Sequence, residues 1–115
     1  MELSYEQLAE FFKGLAHPTR LQILDLLREG EMCVCHIEAL LNKRQAYISQ
    51  QLMTLREAGL VDSRRDGLQV YYRLTDPQIR DLLNLMLGAT HNIGIQCVEG
   101  CPCPTCSVIR IAQIQ

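Results

Sequence analysis

Interruptions at His17-Pro18, Gly30, Asn42-Lys43-Arg44, Gly59, Asp66-Gly67 and Asp76-Pro77 divide the first ninety residues into pieces of helix or strand length. Only a small, mainly helical domain can be built from such pieces. Tyr5, Leu8, Phe12 and Leu15 recur at helical spacing, and Ser4 with Gln7 has the form of a capping box, which predicts a first helix. The residue before a proline is pushed out of helical geometry, so that helix stops at His17 and Pro18 opens a second. Leu21, Ile23, Leu24, Leu26 and Leu27 are apolar on most sides of this second helix, which marks it as the buried centre. Gly30 ends it. Val34 to Leu41 makes a short third helix, and Asn42 to Arg44 a turn. In the fourth helix Ile48, Leu52 and Leu55 form one face, while Gln45, Ala46, Ser49 and Gln50 fall on the opposite, small and polar face.

After Gly59, the runs Leu60 to Arg64 and Val70 to Leu74 are strand-like, and the Asp66-Gly67 between them is a strong hairpin signal. Asp76-Pro77 starts a last helix through about Thr90. Its Ile79, Leu82, Leu83, Leu85, Met86 and Leu87 are apolar nearly all round, so it has more than one face to bury. A partner chain would cover the second face; the alternative is a helix sunk in its own small core. Beyond it come Gly94, Gly100, Pro102 and Pro104, which divides the chain into a folded domain at 1–92 and a Cys-rich tail at 93–115. Three helices, a turn, a helix with a polar outer face and a basic hairpin follow one another in the order of a winged helix-turn-helix, whose second motif helix enters the major groove. The expected fold class is therefore mainly α with a small β-hairpin.

Charge agrees with this once its distribution is considered. The chain sums to -2, but residues 42–73 carry six basic side chains (Lys43, Arg44, Arg56, Arg64, Arg65, Arg73) against three acidic ones. A basic middle set between acidic flanks offers phosphates a cationic surface. The start has no basic, apolar leader and no run reaches the roughly 18 apolar residues of a membrane span. A cytoplasmic protein is expected, with no membrane partner. In a reducing compartment clustered cysteines serve as ligands or switchable thiols rather than structural disulfides. No Ser-His-Asp arrangement, phosphate loop or His-Glu hydrolase motif is present, so an enzyme is not expected.

Three blocks carry a specific likeness: Phe12-x-x-Leu15-Ala16-His17-Pro18-Thr19-Arg20-Leu21-x-Ile23-Leu24, then Ile48-Ser49-Gln50-Gln51-Leu52-x-x-Leu55-Arg56-x-Ala58-Gly59-Leu60-Val61, then Val70-Tyr71-Tyr72-Arg73-Leu74. In this order and at these intervals, residues 5–90 resemble the ArsR/SmtB family of metal-responsive repressors. The resemblance implies a homodimer joined through the first and last helices, bound to a palindromic double-stranded operator and released by an inducer. By position, Gln45, Ala46, Ser49 and Gln50 match the family's reading face, where Gln can pair bidentately with adenine and the Ala methyl can meet that of thymine. Arg64, Arg65, Gln69 and Arg73 match the wing's phosphate and minor-groove contacts. Where the family often caps the fourth helix with Ser or Thr, this chain has Arg44, which cannot accept from backbone N–H groups. Arg44 is then either a phosphate ligand, or the helix is capped earlier by Asn42.

Glu31-Met32-Cys33-Val34-Cys35-His36-Ile37 resembles the Leu-Cys-Val-Cys-Asp-Leu element that starts the third helix in arsenic-, cadmium- and lead-sensing members. The carry-over gives Cys33 and Cys35. A third cysteine, three positions on in the arsenic sensors, is here Glu38. A fully helical Cys-x-Cys would aim its sulfurs about 200° apart. Either Cys33 precedes the first turn or binding unwinds it, and such distortion would tilt the fourth helix. The tail holds Cys97, Cys101, Cys103 and Cys106, which could complete the site begun by Cys33 and Cys35, cross between subunits, or form a four-cysteine zinc site of their own. A zinc-stapled protein-binding module would use the tail but leave the basic hairpin unexplained. The last-helix zinc site of SmtB-like sensors looks absent, since Asp81 and His91 stand ten residues apart. His36 is either an accessory ligand or a solvated or hydrogen-bonded side chain, and His17 is structural. The expected function is a repressor released by a thiophilic ion, As(III) first, with Cd(II), Pb(II) and Zn(II) as alternatives; the runner-up is a redox or persulfide switch on the same fold.

Overall fold

A computed structural model describes residues 3–88 of the chain. The last helix ends at Leu87, short of the expected Thr90, because Gly88 takes a positive φ (82°) as its C-cap; His91 and the tail with Cys97, Cys101, Cys103 and Cys106 lie outside the described residues. Five helices and three strands follow in the order α1 (Tyr5–Leu15), α2 (Pro18–Leu27), β1 (Met32–Cys33), α3 (Val34–Leu41), α4 (Gln45–Glu57), β2 (Val61–Asp66), β3 (Gln69–Leu74) and α5 (Pro77–Leu87).

The helix starts follow the local chemistry of the chain. At α1 the Gln7 N–H donates to Ser4 Oγ (3.1 Å) and the Ser4 N–H to Gln7 Oε1 (2.9 Å), the reciprocal capping box. At α2 Pro18 occupies the first turn and His17 Nδ1 accepts from the Thr19 N–H at 3.2 Å, which gives His17 the structural role expected of it. Asp76 caps α5 in the same way, accepting from the Gln78 N–H at 2.8 Å. Asn42 ends α3 in the left-handed conformation (φ 52°, ψ 47°). The alternative in which Asn42 caps the start of α4 is thereby overturned: the N-cap is Arg44, whose side chain makes no capping hydrogen bond.

The hairpin closes through Asp66↔Gln69, with Gly67 at φ 62° as the first of two turn residues. A positive φ at the first of the two suits glycine. The pairing runs past the expected strand ends to Asp66 and Gln69, because this short turn leaves both in register. The sheet is larger than a hairpin. Met32 and Cys33 pair antiparallel with Tyr72 and Tyr71, giving the order β1-β3-β2. Thr75 Oγ1 donates to the Gly59 carbonyl at 2.7 Å and fastens the base of the hairpin to the end of α4.

α2 is the hub of the core, as its all-round apolar pattern predicted. Ile23, Leu24 and Leu27 are fully buried and pack with Ile37 of α3, Ile48, Leu52 and Leu55 of α4, Leu60, and Ile79 and Leu83 of α5. Arginines tie both ends of α2 to its neighbours. Arg20 donates to the Gly14 carbonyl (2.8 Å) and the Lys13 carbonyl (3.1 Å) at the end of α1, and to Gln51 Oε1 (3.4 Å) on α4. Arg28 pairs with Asp25 and donates to Asn84 Oδ1 (3.0 Å) and the Gly88 carbonyl (2.7 Å) at the end of α5. α1 comes so close to the corner after α4 that a Cβ on Gly14 would stand 2.6 Å from Leu60 Cδ1.

A buried guanidinium making this many bonds predicts that Arg28→Ala lowers stability by about 2 kcal/mol, because the acceptors lose a charged donor. Arg28→Lys should recover little of it, since an ammonium lacks the planar fork. Urea unfolding followed by far-UV circular dichroism measures both; a midpoint unchanged in Arg28→Ala would show that Arg28 does not clamp α2 to α5.

Candidate nucleic-acid interface and thiol site

α4 buries Ile48, Leu52 and Leu55 completely and Gln51 almost so, which turns Gln45, Ala46, Ser49 and Gln50 to the surface together with Arg44. The predicted reading face is therefore an exposed face held by the core beneath it. A further tether was not anticipated: the Tyr47 hydroxyl lies 3.1 Å from Thr19 Oγ1, joining the first turn of α4 to the first turn of α2. Only the bulk of Tyr47 beside that polar face could have signalled it.

In the wing, cross-strand partners share a face of the sheet. The register pairs Arg64 with Tyr71, Tyr71 with Cys33, and Asp62 with Arg73. Side chains alternate along a strand, so Gln69, Tyr71 and Arg73 of β3 share that face with Arg64 of β2 and Cys33 of β1. Three of the four predicted wing residues thus lie on one face with the first cysteine. Arg65 pairs with Val70 and takes the opposite side. Arg44, Arg65 and Arg73 are exposed.

Arg64 is exposed but already engaged. Its Nε donates to Glu31 Oε2 at 2.7 Å and its Nη2 to Glu31 Oε1 at 2.5 Å, a two-point fork. Asp66 Oδ2 stands 3.7 Å from Nη1, and the guanidinium lies over the Tyr71 ring, 4.7 Å from its centre. The hydrogen bonds from Arg64 hold the Glu31 carboxyl below the ordinary carboxylate range, with the charges of Arg64 and Arg73 adding to it. The same pairing raises Arg64 further above its already high value.

Cys33 and Cys35 come together. Cys33 is the N-cap of α3, in extended conformation (φ −74°, ψ 153°), and its sulfur accepts from the His36 N–H at 3.3 Å. Because Cys33 precedes the first turn, the 200° divergence of a helical Cys-x-Cys does not apply. The two Sγ atoms stand 2.7 Å apart, beyond the roughly 2.05 Å of a disulfide bond. Cys33 is buried, Cys35 is partly open, and Cys35 Sγ contacts Gln69 Oε1 of the wing at 3.4 Å. His36 is 2% exposed, which excludes a solvated side chain and leaves the accessory-ligand and hydrogen-bonded readings.

Among the described residues no third Cys, His, Asp or Glu joins this pair in a metal-binding group. Glu38 does not replace the cysteine whose position it takes; burial without a hydrogen-bond partner for Oε1 pushes its carboxyl up. Two converging sulfurs fit part of a thiolate site for a soft ion, and the remaining candidates, Cys97, Cys101, Cys103 and Cys106, lie outside the described residues. A cavity of about 750 Å³ between α1, the end of α4 and the start of α5 has Glu6, Glu10, Glu57 and Asp76 around it, together with Lys13 and Arg20.

Residues 17–63 match the family described as bacterial regulatory protein, arsR family. The chain is 43% identical over 86 residues to a biofilm growth-associated repressor of Agrobacterium fabrum, spanning 75% of this chain and 74% of that one. It is 46% identical over 77 residues to an arsenic resistance transcriptional regulator of Pseudomonas putida, spanning 66% of this chain and 59% of the relative. Its fold superposes with a TM-score of 0.67 and 38% identity on a homodimeric winged helix-turn-helix DNA-binding domain from Mycobacterium bovis, covering 71% of this chain and 76% of that one. These relatives are transcriptional regulators rather than enzymes, and no helix among the described residues is long and apolar enough to cross a membrane. With the winged helix-turn-helix architecture in place and these likenesses spanning most of the folded part, the chain belongs to the arsR family of bacterial regulatory proteins.

Proposed function

We propose that this protein is a homodimeric repressor that holds double-stranded operator DNA through α4 and the wing and lets go when a thiophilic ion, As(III) first, binds Cys33 and Cys35. Cd(II), Pb(II) and Zn(II) are the alternative ions. The observation that carries this reading is the convergence of the two sulfurs at the junction of β1 and α3, beside β3. Cys33 is at once the cap of the helix that precedes α4 and the strand partner of Tyr71 in the wing. Drawing its sulfur onto an ion takes the acceptor from the His36 N–H, and any shift of Cys33 pulls on β3. Both DNA-facing elements are therefore within one residue's reach of the ligand.

Gln45, Ala46, Ser49 and Gln50 supply base contacts in the major groove, and Arg44, Arg65 and Arg73, with Arg64 and Gln69, face the backbone. The bare N-cap of α4 agrees with a phosphate partner for Arg44 and for the helix end. A trigonal or tetrahedral ion needs more than two thiolates, and Cys97, Cys101, Cys103 or Cys106 would supply the rest. The name of the Pseudomonas putida relative supports arsenic, and a second reading draws on the same sulfur approach: loss of two electrons and two protons to an oxidant would join two thiols in a disulfide. For the dimer, Tyr5, Leu8 and Phe12 of α1 and Leu85, Met86 and Leu87 of α5 are exposed apolar side chains on the two helices expected to join the subunits.

Titrating the operator complex separately with arsenite, cadmium, zinc and peroxide should release DNA with arsenite at the lowest concentration; release by peroxide alone would sink the ion and leave the oxidation reading. Cys33→Ser with Cys35→Ser should abolish the response while operator affinity stays within about threefold, because Ser is itself a strong N-cap. A retained response moves sensing to the tail. Gln50→Ala should cost about 1–3 kcal/mol and relax base preference, whereas Arg65→Gln should weaken all sequences alike and lower the salt slope by about one. Equal effects on cognate and random duplexes for both would rule out reading by α4. Met86→Glu should shift the chain from dimer to monomer in sedimentation equilibrium, and an unchanged dimer would place the interface elsewhere.

A further inference from the structure

Arg64 is the basic wing residue whose hydrogen-bonding edge the chain fills by itself. Nε and Nη2 form the edge that receives a phosphate or a carboxylate two-pronged, and Glu31 occupies it at 2.7 and 2.5 Å. The remaining surroundings fix the guanidinium plane without blocking that edge, since Tyr71 lies against its face and Asp66 beside Nη1. The side chains of Arg64 and Glu31 are 53% and 30% exposed, so water and a polyanion can both reach the pair. Glu31 immediately precedes β1, the strand that brings it alongside β3, across which Arg64 of β2 reaches it.

We propose that Glu31 is an intramolecular stand-in for a DNA phosphate: it holds the Arg64 fork in the unbound protein and gives it up to the backbone when DNA docks. The inference rests on the wing facing DNA, as proposed above, and adds a residue that sets affinity by competing with the ligand. DNA binding then replaces a carboxylate–guanidinium pair by a phosphate–guanidinium pair and leaves the Glu31 charge uncovered near the phosphates. The native operator affinity is held below what the basic residues alone would give. This part of the surface also joins the thiol segment, because Glu31 is two residues from Cys33 in the same extended run.

Fluorescence anisotropy of labelled operator DNA with the full chain, across a range of salt concentrations, tests this with Glu31→Gln, Glu31→Asp, Arg64→Gln and the Glu31→Gln/Arg64→Gln pair. Glu31→Gln should bind about five- to tenfold more tightly with a salt slope steeper by up to about one, since one repelling charge is gone. Glu31→Asp, which keeps the carboxylate, should stay near the native affinity. In the Arg64→Gln background the gain should shrink to about twofold or less, which separates competition at Arg64 from a general charge effect. Glu31→Ala repeats the measurement if the Gln variant unfolds, and circular dichroism confirms the fold of each. Native binding with Glu31→Gln equal or weaker, or with equal gains in both backgrounds, overturns the competition alone. Absence of DNA binding by every variant overturns it together with the DNA reading.

Discussion

The pairing of Met32 and Cys33 with Tyr72 and Tyr71 is the constraint on which the working of this fold depends. Without it, the wing would be a two-stranded ribbon attached at the base of α4 and α5, and such ribbons are marginal in water. With it, the segment between α2 and α3 becomes part of the wing's sheet. Cys33 then stands where strand, helix start and sulfur chemistry meet, extended enough to pair with Tyr71 and placed to cap α3 through the His36 N–H. The contact of Cys35 with Gln69 and the fork from Arg64 to Glu31 follow from the same alignment, because both bridge the segment at residues 31–35 to the hairpin.

The rest of the molecule holds the reading helix steady enough for such a linkage to matter. α2 is buried along most of its length and clamped by Arg20 to α1 and α4, and by Arg28 to the end of α5. Tyr47 adds a tie from α4 back to Thr19. A close-packed core transmits displacement rather than absorbing it. Movement at the start of α3 therefore has two outlets, through the α3–α4 packing in which Ile37 and Ile48 share the core, and through β1 and β3 into the wing.

The helices and hairpin were legible because local chemistry sets them. Pro18, Asn42, Gly59 and Asp76-Pro77 stop and start helices by backbone preference and side-chain capping, and α3 begins and ends where Gly30, Asn42 and the apolar run between them imply. The exposed face of α4 followed from a period of 3.6 residues. The two-residue β1 was not legible, since two residues have no period and its partner lies some forty positions away. That omission left the direction of the Cys33 side chain open between two geometries. It also hid the acidic partner of Arg64, because charge counted along the chain gives no information on a pair 33 residues apart. The tail cysteines were legible as chemistry only, and their place relative to Cys33 and Cys35 lies outside the described residues.

The charge pattern shows why this matters for function. Residues 42–73 supply six cations, but they are not six equal phosphate ligands. Arg44 sits at a helix start with no capping bond, and Arg65 and Arg73 are exposed, whereas Arg64 is committed to Glu31. A chain with net charge -2 cannot rely on bulk attraction to DNA and must present its cations at particular places. On the proposed role of the wing, holding one of them on a carboxylate two residues before Cys33 would reduce attraction to arbitrary DNA while keeping that cation oriented for a phosphate in the right position. Weak overall charge and an occupied wing arginine would then act in the same direction: on the proposed function, affinity would depend on the docked geometry of α4 and the sheet together, which is the geometry a ligand at Cys33 and Cys35 would disturb.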